Sequence, residues 1–169
     1  MISNFLYSFT KDLSSESFKD CIQSNTKLIY IETPSNPLLK LVDIFAVAKL
    51  AKSHQIITVA DNTFATPIIQ TPIDLGIDIV IHSATKYFGG HSDISAGAVA
   101  SSQEIMDKIW DLAKDFGGNL SDYTVWLLER SMKTLGIRVK AQQRNAKRLA
   151  KYLHKHPAVK SVYYPGLKS

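Results

Sequence analysis

The sequence predicts an α/β fold, a mostly parallel sheet with helices on both faces. Three observations point there. Short apolar runs recur at Leu28 to Ile31, Ile56 to Ala60 and Ile77 to Ile81, near-continuous in the manner of strands buried on both sides. A helical stripe of Ile44, Val47, Ala48 and Ala51 separates the first two runs. Polar residues follow each run, as they do where strands end at a ligand-binding rim.

The elements follow in order. Ser14 or Ser15 can cap a short helix carrying Phe18, Cys21 and Ile22, with Glu16 in its first turn. The first strand stops at Glu32-Thr33-Pro34-Ser35-Asn36-Pro37, where two prolines forbid helix and ladder alike. Asp43 caps the next helix, and the second strand completes a strand-helix-strand unit. Pro67 and Pro72 break the segment before the third strand. A fourth strand, Ala96 to Ala100, follows a glycine-containing link with no helical period, which favours an antiparallel placement. Helices are expected at Gln103 to Phe116 and Tyr123 to Leu135, then a long basic helix and a last apolar stretch, Val159 to Tyr164.

With 169 residues, 45% of them hydrophobic, the chain can bury one sizeable core. A single cysteine, Cys21, excludes an internal disulfide framework. No leader pattern opens the sequence and no apolar run nears the roughly 18 residues of a membrane span, so the expected location is the cytoplasm. The net charge of +5 is uneven: residues 1–129 hold 9 basic and 15 acidic side chains, whereas 130–169 hold 11 basic and none acidic. Lys140, Arg144, Lys147, Lys151 and Lys155 recur at helical spacing, with Val139, Ala146, Leu149, Ala150 and Leu153 on another face. This pattern describes an amphipathic helix with a solvated basic side. No aromatic residues interleave with the charges, so a nucleic-acid surface is not indicated.

The strand ends carry the chemistry. Glu32 and Asn36 follow the first strand, Asp61 the second, and Ser83, Thr85 and Lys86 the third. A lysine amine can form an imine with an aldehyde cofactor. An aspartate against a pyridine nitrogen keeps that nitrogen protonated, so the ring can accept electrons from a substrate α-carbanion. Short hydroxyls with nearby backbone amides can donate to a phosphate. Together these are the requirements of pyridoxal 5'-phosphate (PLP).

The runs Glu32-Thr33-Pro34-Ser35-Asn36-Pro37, Ala60-Asp61-Asn62-Thr63-Phe64-Ala65-Thr66-Pro67, Ser83-Ala84-Thr85-Lys86-Tyr87-Phe88-Gly89-Gly90-His91-Ser92-Asp93 and Lys133-Thr134-Leu135 resemble the Cys/Met-metabolism PLP-dependent enzymes. That family includes cystathionine gamma-synthase, the cystathionine gamma- and beta-lyases, methionine gamma-lyase and the O-acylhomoserine sulfhydrylases. The resemblance implies part of a fold type I, aspartate aminotransferase-like large domain, with 1–135 in the PLP-binding domain and 136–169 a linking helix and the start of a C-terminal domain. It implies Lys86 as imine lysine and proton shuttle, Asp61 on the pyridinium, Ser83 and Thr85 on the phosphate, and Asn36 near the ring hydroxyl or substrate. It further implies a homotetramer acting on cystathionine, another sulfur amino acid or an O-acylhomoserine, by carbon–sulfur elimination or gamma-replacement.

Family members are longer. The cofactor-stacking tyrosine, the Tyr and Arg given by a neighbouring subunit and the substrate-carboxylate arginine are expected in segments outside this sequence. Tyr87 and Arg130 do not match those motifs. The alternative expectation is a truncated, non-catalytic remnant that at most binds PLP or oligomerises. Ser121-Asp122-Tyr123-Thr124 departs from the family's usual Ser-Pro-Phe-Asp, and Ser131-Met132 from a common Gly-Leu. Ser83-x-x-Lys86 also matches an acyl-transfer motif, but no Ser-Asp-Asn or Lys-Thr-Gly follows. The histidines do not indicate a metal site.

Overall fold

The computed structural model describes residues 5–167. Four strands, β1 (Leu28–Glu32), β2 (Ile57–Asp61), β3 (Ile79–Ser83) and β4 (Gly97–Ser101), form one sheet in the order β1-β2-β3-β4. The first three run parallel and β4 is antiparallel to β3, so the expected class and the odd orientation of the fourth strand both hold. Helix α1 (Ser15–Cys21) precedes the sheet, and α2 (Ile44–Ser53) links β1 to β2. Each starts at a cap read from the sequence: Ser14 accepts from the Ser17 N–H at 3.2 Å and Asp43 from the Ala46 N–H at 3.0 Å.

The core lies between α1, α2 and one face of the sheet. Phe18, Ile29, Ile31, Ile44, Val47, Ala48, Ala51, Ala60, Ile77 and Val80 are all buried there. Each large aliphatic side chain so placed contributes about 1.5–3 kcal/mol by leaving water. The opposite face is less covered. Leu28, Tyr30 and Ile57, brought to one side by alternation and by the Leu28↔Ile57 register, stay about half exposed at the β1–β2 edge.

The prolines between β2 and β3 initiate structure as well as interrupt it. Pro67 stands in the first turn of the short helix α3 (Thr66–Ile69), and Pro72 opens a 3-10 turn to Leu75. A missing N–H costs nothing at a helix start. Beyond β4 come α4 (Gln103–Phe116), α5 (Asp122–Met132) and α6 (Leu135–His154). The helix expected through Leu135 ends earlier, at Met132. The Ser131 carbonyl is taken by the Thr134 hydroxyl at 3.1 Å and by Arg138 Nη2 at 2.9 Å, which closes α5 before α6 begins.

A second, smaller core gathers Ala84, Phe88, Leu135 and Val139, joining the first two turns of α6 to the segment after β3. Further along α6 the expected apolar face holds only in part. Ala150 is buried, but Ala146 and Leu149 are exposed because no described element packs on them. Residues 159–164 form neither helix nor strand. Among the described residues no helix is long and apolar enough to cross a membrane.

Candidate functional site at the carboxyl edge of the sheet

The parallel register sets Glu32 opposite Asp61 and Asp61 opposite Ile81, so β1, β2 and β3 end on one rim with Ser83 closing β3. Alternation puts Tyr30, Glu32, Asp61 and Ser83 on the same face. The Asp61 carboxylate is held from two sides. Its Oδ1 accepts the Thr63 N–H at 2.9 Å, and its Oδ2 accepts the Tyr30 hydroxyl at 3.3 Å. Thr63 also accepts the Ser83 N–H through its own hydroxyl at 2.8 Å, tying the ends of β2 and β3 together.

Tyr30 shows the electrostatics of this rim. Burial, then the charge and hydrogen bond of Asp61 and the charge of Glu32, push its phenol up to about 12. The phenol is therefore a hydrogen-bond donor throughout the neutral range.

Lys86 lies in a tight turn directly after β3. Its N–H donates to the Ser83 carbonyl at 3.0 Å, and its own carbonyl accepts from Gly90 at 2.7 Å. The Gly89 N–H donates to Ala84 O at 2.8 Å. Ala84 and Phe88 anchor the turn in the smaller core, while Lys86 itself is exposed. Its amine makes no ion pair among the described residues.

The two hydroxyls flanking this turn differ. Thr85 Oγ1 donates to the Ala96 carbonyl at 3.2 Å and accepts the Ala96 N–H at 2.9 Å, so its single proton is already engaged in bridging to the start of β4. Ser83 uses its backbone N–H on Thr63, and its hydroxyl has no protein partner among the described residues. Asn36 is exposed in the loop after β1, which is closed by bonds from Leu39 to Ser35 and from Ser35 to Lys40. Among the described residues no hydrogen bond joins Asn36 to Asp61 or Lys86.

Three residues that the sequence reading left out take part in this geometry. Tyr30 stands two places before Glu32, and that period of two was the available signal. Thr63 stands two places after Asp61 in the same way. Arg138 was hidden in the basic helix, where charge spacing alone makes it one solvated cation among many. Behind the rim, His82 is buried and stacks on Phe88 with ring centroids 4.6 Å apart. Its Nδ1 lacks a partner among the described residues, and burial lowers its pKa against the opposing pull of Asp61 and the Asn62 backbone.

Fold and rim together define an α/β domain whose polar side chains gather at the carboxyl edge of a parallel sheet, the class in which small ligands bind at that edge. The sequence profile of the Cys/Met metabolism PLP-dependent enzymes matches residues 3–169, and the chain belongs to that family. A cystathionine beta-lyase of Lactococcus lactis subsp. cremoris (strain MG1363) is 49% identical over 160 residues, covering 94% of this chain and 42% of the relative. A cystathionine gamma-lyase of Bacillus subtilis (strain 168) is 47% identical over 159 residues, with coverage of 94% and 42%. The crystal structure of cystathionine gamma-lyase from Lactobacillus plantarum complexed with L-serine superposes with a TM-score of 0.89 at 46% identity, over 91% of this chain and 41% of that one. The chain thus spans about two fifths of the length of these relatives.

Proposed function

We propose that this chain carries the lysine-bearing part of the PLP site of a transsulfuration-type enzyme. The reaction is carbon–sulfur elimination or gamma-replacement on cystathionine or an activated homoserine. One observation carries the reading: parallel strands deliver an oriented carboxylate, Asp61, and a free hydroxyl, Ser83, to the rim from which the Lys86 turn departs. The donor set fits the cofactor, because it offers an anion for a protonated ring nitrogen, a neutral donor for a phosphate and an amine for an aldehyde. When bound, PLP supplies an electron-accepting ring that labilises bonds at an amino acid's α-carbon.

Each protein group then has a stated task. Asp61, its two oxygens oriented by Thr63 and Tyr30, would keep a proton on the ring nitrogen. Ser83 would donate to the phosphate, and Thr85 supports it by fixing the turn to Ala96. Lys86 would hold the cofactor through its Nζ and, once released, would move the α-proton of the substrate. Asn36, exposed in the loop after β1, is assigned to this site by family resemblance alone. The division of the chain after residue 135 falls at the start of α6, whose first two turns stay packed on the lysine turn. The cytoplasm is the proposed location, and a homotetramer the proposed assembly.

The test uses the purified chain and its Lys86→Ala variant mixed with PLP, followed by visible absorbance and by mass spectrometry after borohydride reduction. Wild type should carry the reduced pyridoxyl group on Lys86. An unlabelled wild type, or a variant labelled equally, would sink the assignment. Release of α-keto acid and ammonia from cystathionine by the whole protein, lost in Lys86→Ala, tests the reaction class.

A further inference from the structure

We propose that Arg138 is a positioning residue for Lys86, clamping the backbone of the lysine turn from the first turn of α6; the functional half of this inference rests on the reading of Lys86 given above. Four hydrogen bonds from one guanidinium carry it. Nη1 donates to the Tyr87 carbonyl at 2.7 Å, and Nη2 to the Phe88 carbonyl at 3.2 Å and the Ser131 carbonyl at 2.9 Å. Nε donates to the Thr134 hydroxyl at 3.1 Å. The carbonyls of both residues that follow Lys86 are thus bound to one side chain some fifty positions away in sequence.

The turn is shaped to receive the guanidinium. Gly90 has φ +74°, and a Cβ placed there would lie 2.1 Å from Nη1 and 2.7 Å from Cζ of Arg138. Glycine is therefore required twice, for the left-handed backbone and for the space. Gly90 is also the residue whose N–H closes the turn onto the Lys86 carbonyl. Arg138 and Gly90 form one device: the side chain fills the room the glycine leaves, and the backbone that results fixes where Lys86 emerges. A lysine at 138 would keep the charge but lose the planar fork that reaches several carbonyls together.

This arrangement is tested with the chain itself and its Arg138→Ala, Arg138→Lys and Gly90→Ala variants. Gly90→Ala attacks the clamp from the turn, so a folding failure of the arginine variants does not leave the proposal unanswered. Amide hydrogen exchange without PLP comes first. Exchange at Gly89 and Gly90 should quicken about tenfold in Arg138→Ala and Gly90→Ala, the scale of one lost hydrogen bond to a charged group. Amides of β1 to β3 and α2 should keep their wild-type rates, which shows the fold intact.

The second readout is the rate at which Lys86 captures PLP, trapped by borohydride and read by mass spectrometry. Capture should slow severalfold in all three variants. Millimolar guanidinium ion should restore it in Arg138→Ala but not in Gly90→Ala, whose methyl group occupies the cation's place. A purely structural arginine would quicken the exchange without slowing capture. Unchanged exchange at Gly89 and Gly90, or capture at the wild-type rate despite faster exchange, overturns the proposal. Wild type that captures no PLP while the glycine amides respond would overturn the Lys86 reading instead, so the two failures are separable.

Discussion

The Tyr30 hydroxyl donates to Asp61 Oδ2 at 3.3 Å, diagonally across one face of the sheet from a neighbouring strand. Tyr30 is held near 12 by burial first, then by Asp61, so folding keeps its proton to higher pH than the usual value of about 10. The associated stability is complete below pH about 10 and is lost as pH rises through the folded-state value. Asp61→Asn removes the carboxylate charge and should bring the Tyr30 titration down, though not fully, since burial remains. Phenolate absorbance of wild type, Asp61→Asn and Tyr30→Phe, compared by difference, isolates this one tyrosine. Coincident wild-type and Asp61→Asn curves for Tyr30 would contradict the contact.

Ser83 and Thr85 should separate cleanly. Thr85→Val removes both side-chain bonds to Ala96, leaving the Thr85 N–H on the Ala96 carbonyl, and should cost about 1–3 kcal/mol in urea unfolding. Ser83→Ala should leave stability within about 0.5 kcal/mol, because its hydroxyl has no protein partner among the described residues, yet weaken PLP capture. The reverse pattern, a destabilised Ser83→Ala with normal capture, would reject the roles proposed for the pair.

His82 makes the fold acid-sensitive. Burial lowers its pKa in the folded chain, so below about 6.5 the unfolded chain takes up protons that the folded one resists. Its stability contribution is present above that pH and falls as the solution is acidified. His82→Phe keeps an aromatic ring against Phe88 and removes the titration. Urea midpoints compared at pH 7.5 and 5.5 should differ less in His82→Phe than in wild type, and an equal difference in both would exclude His82 as the source.

Along the α5–α6 junction and α6 itself, burial rather than composition should decide the cost of losing a leucine. Leu135 is 5% exposed beside Ala84 and Phe88, and Leu135→Ala should lose about 2–5 kcal/mol. Leu149 is 57% exposed, and Leu149→Ala should stay within about 0.5 kcal/mol. Denaturant unfolding with equal losses at the two positions would show that α6 packs differently.

Most of the sheet was legible because its signals are local. Four short apolar runs, the Ser14 and Asp43 caps and the helical stripe of α2 each express a preference of a few adjacent residues, and each element formed within two residues of its expected ends. Legibility failed at one helix end and along one helix face, where capping and packing decide the outcome. Helix α5 stops early because Arg138 and Thr134 take the Ser131 carbonyl, and Leu149 faces solvent because α6 outruns its packing partners.

At the candidate site the division is the same. The amino-acid sequence by itself determined which groups stand at the strand ends: the carboxylate of Asp61, the hydroxyls of Ser83 and Thr85 and the amine of Lys86, each set by its distance from an apolar run. Only the tertiary structure decided their states, with Asp61 gripped by Tyr30 and Thr63, Thr85 engaged with Ala96, the Ser83 hydroxyl without a partner among the described residues, and the lysine turn clamped by Arg138. Strand position follows from local hydrophobic pattern. A hydrogen bond between β1 and β2, or between α6 and the turn after β3, depends on register and packing that no local window contains.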